Sequence, residues 1–219
     1  MRHARATLIC LWLGFTPAAV AQVSVGFTGG VTWSGMTGSF VDGSGRELGS
    51  VIGLNAEYQI GRLWVLDAEF NLTQKGADDL RLPTSAELID FRHKYLEVPI
   101  LLHHVFRLPG GRFAVHPYAG GAVGLNVGCD LRYEDSFTFE PCEEATPGGL
   151  GRRVDASVVI GVAFRRRFGG LSTISLESRL SLGLTTVSEE AHAGGLSARN
   201  NVVHVLFSFG LPLGRWGLS

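Results

Sequence analysis

Between Leu171 and Thr185 the chain reads LSTISLESRLSLGLT, and its residues sort by parity. Ile174, Leu176, Leu180, Leu182 and Leu184 share one parity, with only Ser178 interrupting. Thr173, Ser175, Glu177, Arg179, Ser181, Gly183 and Thr185 share the other. A two-residue period places successive side chains on opposite faces of a β-strand. Globular strands average about five or six residues, whereas a tilted strand that crosses a bilayer needs about 9–11. This stretch has the length and patterning of a membrane-spanning strand.

The same period recurs, giving eight segments near 22–33, 49–60, 62–75, 93–107, 112–128, 152–167, 171–185 and 201–213. In the third, Trp64, Leu66, Ala68, Phe70 and Leu72 alternate with Asp67, Glu69, Asn71 and Thr73. In the fourth, Leu96, Val98, Ile100 and Leu102 oppose Glu97, Pro99, Leu101 and His103. In the eighth, Val203, Val205, Phe207, Phe209 and Leu211 oppose His204, Leu206, Ser208 and Gly210. The connections alternate in length. Gly61, Leu108-Pro109-Gly110-Gly111 and Phe168-Gly169-Gly170 are tight turns built from residues that turns require. Long polar loops fall at about 34–48, 76–92, 129–151 and 186–200. An even number of strands with short turns at one end and long loops at the other is the rhythm of an outer-membrane barrel.

Alternation alone does not say which face points out, since a soluble eight-stranded barrel uses the same pattern with its apolar face inside. The polar face decides. A solvated exterior carries many Lys and Glu, but here it carries Gly26, Thr28, Gly30 and Thr32 in the first segment and Gly120, Ala122, Gly124 and Asn126 in the fifth. Lysine occurs only at Lys75 and Lys94, while glycine occurs 30 times. Such small residues suit the crowded interior of an eight-stranded barrel, which side chains just fill. Tyr58, Trp64, Phe106, Phe113 and Phe164 lie on the apolar parity beside the short turns, as an interfacial girdle would. The expected fold is therefore all-β: an eight-stranded, up-and-down antiparallel transmembrane β-barrel with short periplasmic turns and long extracellular loops. One feature fits less well: the chain runs past Phe209 to Leu218-Ser219, so a terminal assembly aromatic would have to be Trp216 or lie internally.

Residues 1–21 read as a secretory signal peptide. Arg2 and Arg5 form a basic start, Thr7 to Phe15 is mostly apolar, and Ala19-Val20-Ala21 is an A-x-A site before Gln22. The apolar run is well short of the roughly 18 residues of a membrane helix, and Leu8-Ile9 before Cys10 lacks the small residues of a lipoprotein site. Residues 22–219 then form one barrel domain. Without Arg2 and Arg5 the 19 Lys and Arg become 17 against 20 Asp and Glu, a net charge of −3. No basic block suggests nucleic acid.

Ala68-Glu69-Phe70 with Gln74-Lys75-Gly76, Tyr95-Leu96-Glu97-Val98-Pro99-Ile100-Leu101-Leu102, and Pro117-Tyr118-Ala119-Gly120-Gly121 together resemble the PorT-type outer-membrane β-barrel family. These are small "porin family" proteins of Bacteroidetes-like and related bacteria. The resemblance covers essentially all of residues 22–219. It implies an outer-membrane barrel and little about activity, and the two-cysteine middle loop does not match the family pattern.

Inward-facing charges are the candidate polar network: Glu57, Asp67, Glu69, Glu97, Asp155, Arg165, Glu177 and Arg179, with His103, His116 and His204. Charges inside a barrel need partners, so the expected role is a lumenal ion-pair network that fills the interior and holds register. A proton path or ligand site is the alternative. Enzymatic readings find little support. His204 is followed by Val205-Leu206, so a deacylase-like His-x-Ser pair is absent there. His103 and His104 are adjacent on a strand and face opposite sides, so they cannot share a metal. Gly148-Gly149-Leu150-Gly151 lacks the Lys and Ser/Thr of a phosphate loop. No catalytic residue, cofactor or metal is expected, and eight strands leave no wide aqueous pore.

Cys129 and Cys142 are the cysteines left after signal cleavage, and both fall on the third long loop. On an extracellular loop disulfides persist, and facing strands bring Cα atoms within the roughly 4.4–6.8 Å that a bridge needs. A metal pair with Asp130, Glu143 or Glu144 is the alternative, but two thiolates without a nearby His make an incomplete zinc set. The expected protein sits in a bacterial outer membrane, in contact with lipid, lipopolysaccharide and the barrel-assembly machinery. Its role is structural or in surface interaction with an extracellular ligand or protein. The alternatives are a narrow channel or small hydrophobic-ligand carrier, and then a lipid-modifying enzyme.

Overall fold

The computed structural model describes residues 23–39, 45–81, 88–133, 138–142, 154–168, 172–186 and 197–213. The signal segment 1–21, the Gly148–Gly151 run, Glu143, Glu144 and the tail with Trp216 lie outside the described residues. Eight long strands make the body: β1 (Val23–Thr37), β2 (Glu47–Ile60), β3 (Trp64–Arg81), β4 (Leu88–His104), β5 (Phe113–Tyr133), β6 (Val154–Phe168), β7 (Ser172–Gly183) and β8 (Arg199–Pro212). Each pairs antiparallel with its neighbours in sequence. β1 also pairs with β8 along its whole length, from Ser24 opposite Pro212 to Thr37 opposite Arg199. The ring is closed, and every strand has two partners. Closure matters because an unpaired strand edge in lipid leaves backbone groups unsatisfied.

The faces are inverted relative to a soluble protein. Phe27, Val31 and Trp33 on β1 are about half exposed, as are Leu176 on β7 and Phe207 on β8. Thr28, Thr32, Glu177, Arg179, His204 and Ser208 on the alternate positions are buried. Apolar groups therefore cover the outside, and polar groups fill the inside. Tyr58, Trp64, Phe106 and Phe164 are exposed at the short-turn end, where Phe113 stacks on Phe164 with ring centroids 5.5 Å apart. His104 belongs to this outer girdle too, its ring 4.6 Å from Trp64 and 4.4 Å from Phe106. The interior is not wholly polar. Leu101, Tyr118, Ala122, Val159 and Ala163 form a buried apolar cluster within it.

The short connections are tight for a local reason. Gly61 at φ 62°, and Gly110 and Gly111 at φ 89° and 68°, occupy the left-handed region that glycine enters without a Cβ clash. At the other end β3, β4 and β5 rise beyond the two-residue pattern, to Arg81, Leu88 and Tyr133. The segments read from sequence stop at 75, 93 and 128, and a bulge accounts for the last of these. Pairing of β4 with β5 shifts between Lys94 and Tyr95: Tyr95 opposes Asn126, Lys94 opposes Gly128, and Val127 is left over. A bulge puts two residues against one and flips parity beyond it. Above it Cys129 and Leu131 oppose His93 and Phe91. A second shift lies between Ala77 and Leu80 on β3.

Candidate functional site

Strand parity delivers each lumenal side chain, and closure brings together strands distant in sequence. Toward the long-loop end, Lys75 of β3 is 2 % exposed. Its Nζ lies 2.6 Å from Glu97 Oε1 and 3.0 Å from Asp155 Oδ2. Asp155 also accepts hydrogen bonds from Thr185 at 2.9 Å and from Asn200 Nδ2 at 3.1 Å. The Lys75 ammonium sits 4.9 Å from the centre of the Tyr95 ring. One buried cation thus joins β3, β4 and β6. Lys75 was not among the inward charges expected from the sequence, although it shares the parity of Asp67, Glu69, Asn71 and Thr73. Following that parity two residues further would have found it.

Midway along the barrel, Arg179 of β7 donates to both carboxylate oxygens of Glu69 on β3, at 2.8 and 2.5 Å. Its Nε donates to Tyr118 Oη at 3.1 Å, and that hydroxyl donates to Glu177 Oε2 at 3.2 Å. Glu177 accepts further bonds from Ser175 and Ser208, and Asn71 donates to Glu69 at 2.7 Å. Toward the short turns, Arg165 grips Glu57 through both terminal nitrogens, with Nη1 to Oε2 at 2.8 Å, and Ser24 donates to Glu57 at 3.3 Å. His103 Nε2 stands 3.7 Å from Asp67 Oδ2, and the rings of His103 and His116 lie 6.2 Å apart. His204 meets Ser181 at 3.1 Å.

Glu57, Asp67, Glu69, Glu97, Asp155, Arg165, Glu177 and Arg179 lie on the inner face, and seven of them fall into three ion-paired groups. Glu97 meets Lys75 and not Arg179. Asp67 stands apart from those groups beside His103. The chemistry of the arrangement is mutual neutralisation in a confined space. Bidentate guanidinium–carboxylate pairs are short and directional, and removing one member leaves the other buried and uncompensated. Between the polar groups the apolar cluster around Leu101 and Val159 is buried. His103 and His104 point to opposite sides of β4, one fully buried and the other in the outer girdle. Among the described residues, no group of three or more His, Cys, Asp or Glu is placed to hold a metal.

The long-loop end has its own construction. Glu140–Pro141 folds back along β5, pairing with Leu131 and Asp130. Cys129 and Cys142 are bridged with their Cα atoms 5.4 Å apart, across 13 residues of sequence. Outside the bridge, Arg132 bonds Asp90 at 3.0 and 2.5 Å and Lys94 lies 2.7 Å from Asp130. Arg92 pairs with Glu47, and the Arg92 and Arg132 guanidiniums lie 4.2 and 4.8 Å from the centre of the Phe139 ring. The protruding hairpin is thus held covalently, ionically and by cation–π contact at once. Glu47 and Arg92 fall in segments that the sequence pattern assigns to loops.

No protein-family model matches the sequence, and no curated protein matches it. Among solved structures the chain is similar to the outer membrane protein OprG from Pseudomonas aeruginosa. That match has 13 % identity and a TM-score of 0.52, and covers 89 % of this chain and 97 % of that one. It is also matched to neisserial surface protein A at 10 % identity and TM-score 0.48, over 87 % and 96 % of the two chains. The attachment invasion locus protein Ail of Yersinia pestis matches at 14 % identity and TM-score 0.45, over 87 % and 98 %. At 13 % identity the likeness to OprG is one of fold, and it agrees with the closed ring and the inverted faces: the chain is an eight-stranded transmembrane β-barrel.

Proposed function

We propose that the chain is a bacterial outer-membrane protein of the small PorT-like kind that presents its long-loop end to the exterior for surface interaction. A cleaved signal at residues 1–21 would carry it across the inner membrane, and lipid, lipopolysaccharide and the assembly machinery would be its partners in the membrane. The observation that carries this reading is the contrast between the two halves of the structure. Buried ion pairs cross the lumen, and this opposes general diffusion. The β4–β5 extension is braced by the Cys129–Cys142 bridge and by Arg92, Arg132 and Phe139. A rigid protrusion fits a docking surface, because preorganisation lowers the entropic cost of binding. No catalytic role is proposed.

Two measurements test this reading. In planar bilayers the purified chain should insert without steady conductance. In intact cells, a membrane-impermeant maleimide should label the hairpin cysteines after mild reduction. Stable open channels would favour a narrow-channel role. Cysteines reached only after the outer membrane is broken would place the hairpin inside and end the surface reading.

A further inference from the structure

At the end opposite the hairpin, the barrel mouth opens into a cavity of about 90 Å³ lined in part by Arg107, Arg112, Arg165, Arg167, Glu57 and His116. The turn chemistry assembles it. Leu108 and Phe113 close the β4–β5 turn through a backbone bond of 3.0 Å, with Gly111 donating to Leu108 at 3.1 Å. Arg167 N donates to Arg112 O at 3.0 Å, which draws the end of β6 beside that turn. Among the described residues that line this space, four carry guanidiniums and one, Glu57, a carboxylate, which Arg165 grips.

Two residues at the inner wall are more than nine-tenths buried yet keep a polar atom without a hydrogen-bond partner: His116 at Nδ1 and Arg165 at Nε. Burying an unmet donor or acceptor costs about 1–3 kcal/mol, and both residues line the cavity. Ser24, Ser172 and Thr173 add hydroxyls, while Val65, Val105, Ala114 and Pro212 supply apolar wall. Low-dielectric walls around one sign of charge concentrate the opposite ion, and guanidinium forks match the planar oxygens of carboxylate and phosphate.

We propose that this periplasmic mouth is a binding site for a small soluble oxyanion, a carboxylate or phosphate with room for a short apolar body. Arg107 and Arg112 capture the anion at the rim, and His116 and Arg165 meet it at the floor. The site is independent of the hairpin surface and is entered from the other side of the membrane.

Isothermal titration of the full chain folded in zwitterionic micelles, with inorganic phosphate and with benzoate at ionic strength fixed by KCl, tests it. Saturable binding of at least one of the two anions is expected, one per chain. It should weaken at least tenfold in Arg107→Gln/Arg112→Gln and stay unchanged in Arg92→Gln at the far end. Should the double glutamine variant fail to fold, Arg107→Lys/Arg112→Lys keeps the charge, loses the fork and should still bind more weakly than the parent. Absence of saturable binding by either anion, or equal binding after the rim substitutions, overturns the site. Tighter binding of short-chain phosphatidylglycerol than of both free anions would also overturn the assignment, since the ligand would then be a lipid headgroup.

Discussion

Arg179 on β7 spans the lumen to hold Glu69 on β3 through two parallel hydrogen bonds of 2.8 and 2.5 Å. The two strands are not neighbours in the ring, where β7 lies between β6 and β8 and β3 between β2 and β4. The pair is therefore a crosslink across the barrel, and it fixes the distance between opposite walls in a way no ladder hydrogen bond can.

Breaking this crosslink on one side should be worse than removing it. Arg179→Met leaves Glu69 and Glu177 buried without their cation, which is expected to cost about 3–5 kcal/mol. Arg179→Met/Glu69→Leu should recover part of that loss. Urea titration of the micelle-folded variants measures both. A double variant as unstable as the sum of its singles would show that the two residues do not act as a pair.

Lys75 should be less replaceable than its size suggests. Lys75→Met leaves Glu97 and Asp155 facing each other across β4 and β6 with no cation between them. The expected loss is again about 3–5 kcal/mol, and Glu97→Gln added to it should be partly compensating. Lys94→Met, whose ion pair with Asp130 is partly exposed, should cost no more than about 1 kcal/mol. Comparable losses at Lys75 and Lys94 in the same unfolding assay would argue that the lumen is wet and its charges are screened.

Strand parity is carried by the sequence itself, whereas contacts across the lumen are set by the closed ring. The parity of 171–185 and 201–213 carries over directly, because lipid on one side and a packed lumen on the other impose the same period on every strand. Pairing across the lumen was not legible. Whether Arg179 meets Glu69 or Glu97 depends on the stagger of the closed ring, a property of all eight strands together. Lys75 shares the inward parity of Thr73 but stands at the last position of the third segment, where period alone does not separate strand from loop. The extension of β5 does not show in the pattern because the bulge at Val127 inverts its parity, and that of β4 because its outer face there carries Asp90 and Arg92 in place of apolar residues while Phe91 and His93 face inward. Cys129 and Cys142 needed no such register, since a hairpin of that length leaves them few other places to be.

The disulfide should stabilise the hairpin more than the barrel. In the chain-entropy picture a loop of about 15 residues is worth about 3 kcal/mol, and here that loop lies beyond the ion-paired lumen. Cys129→Ser/Cys142→Ser is expected to expose the hairpin to limited proteolysis while the eight strands stay resistant. Collapse of the whole barrel to protease would mean that the hairpin nucleates the fold.

The inverted arrangement of faces is tested most directly along β8. Single nitroxide labels at positions 203 to 209, on a Cys129→Ser/Cys142→Ser background reconstituted in liposomes, report contact with lipid through relaxation by oxygen. Labels replacing Val203, Val205, Phe207 and Phe209 should show high oxygen accessibility, and those replacing His204, Leu206 and Ser208 low accessibility to both oxygen and a water-soluble nickel chelate. An alternation of the opposite phase, or no alternation at all, would contradict a lipid-facing apolar surface around a closed, ion-paired interior.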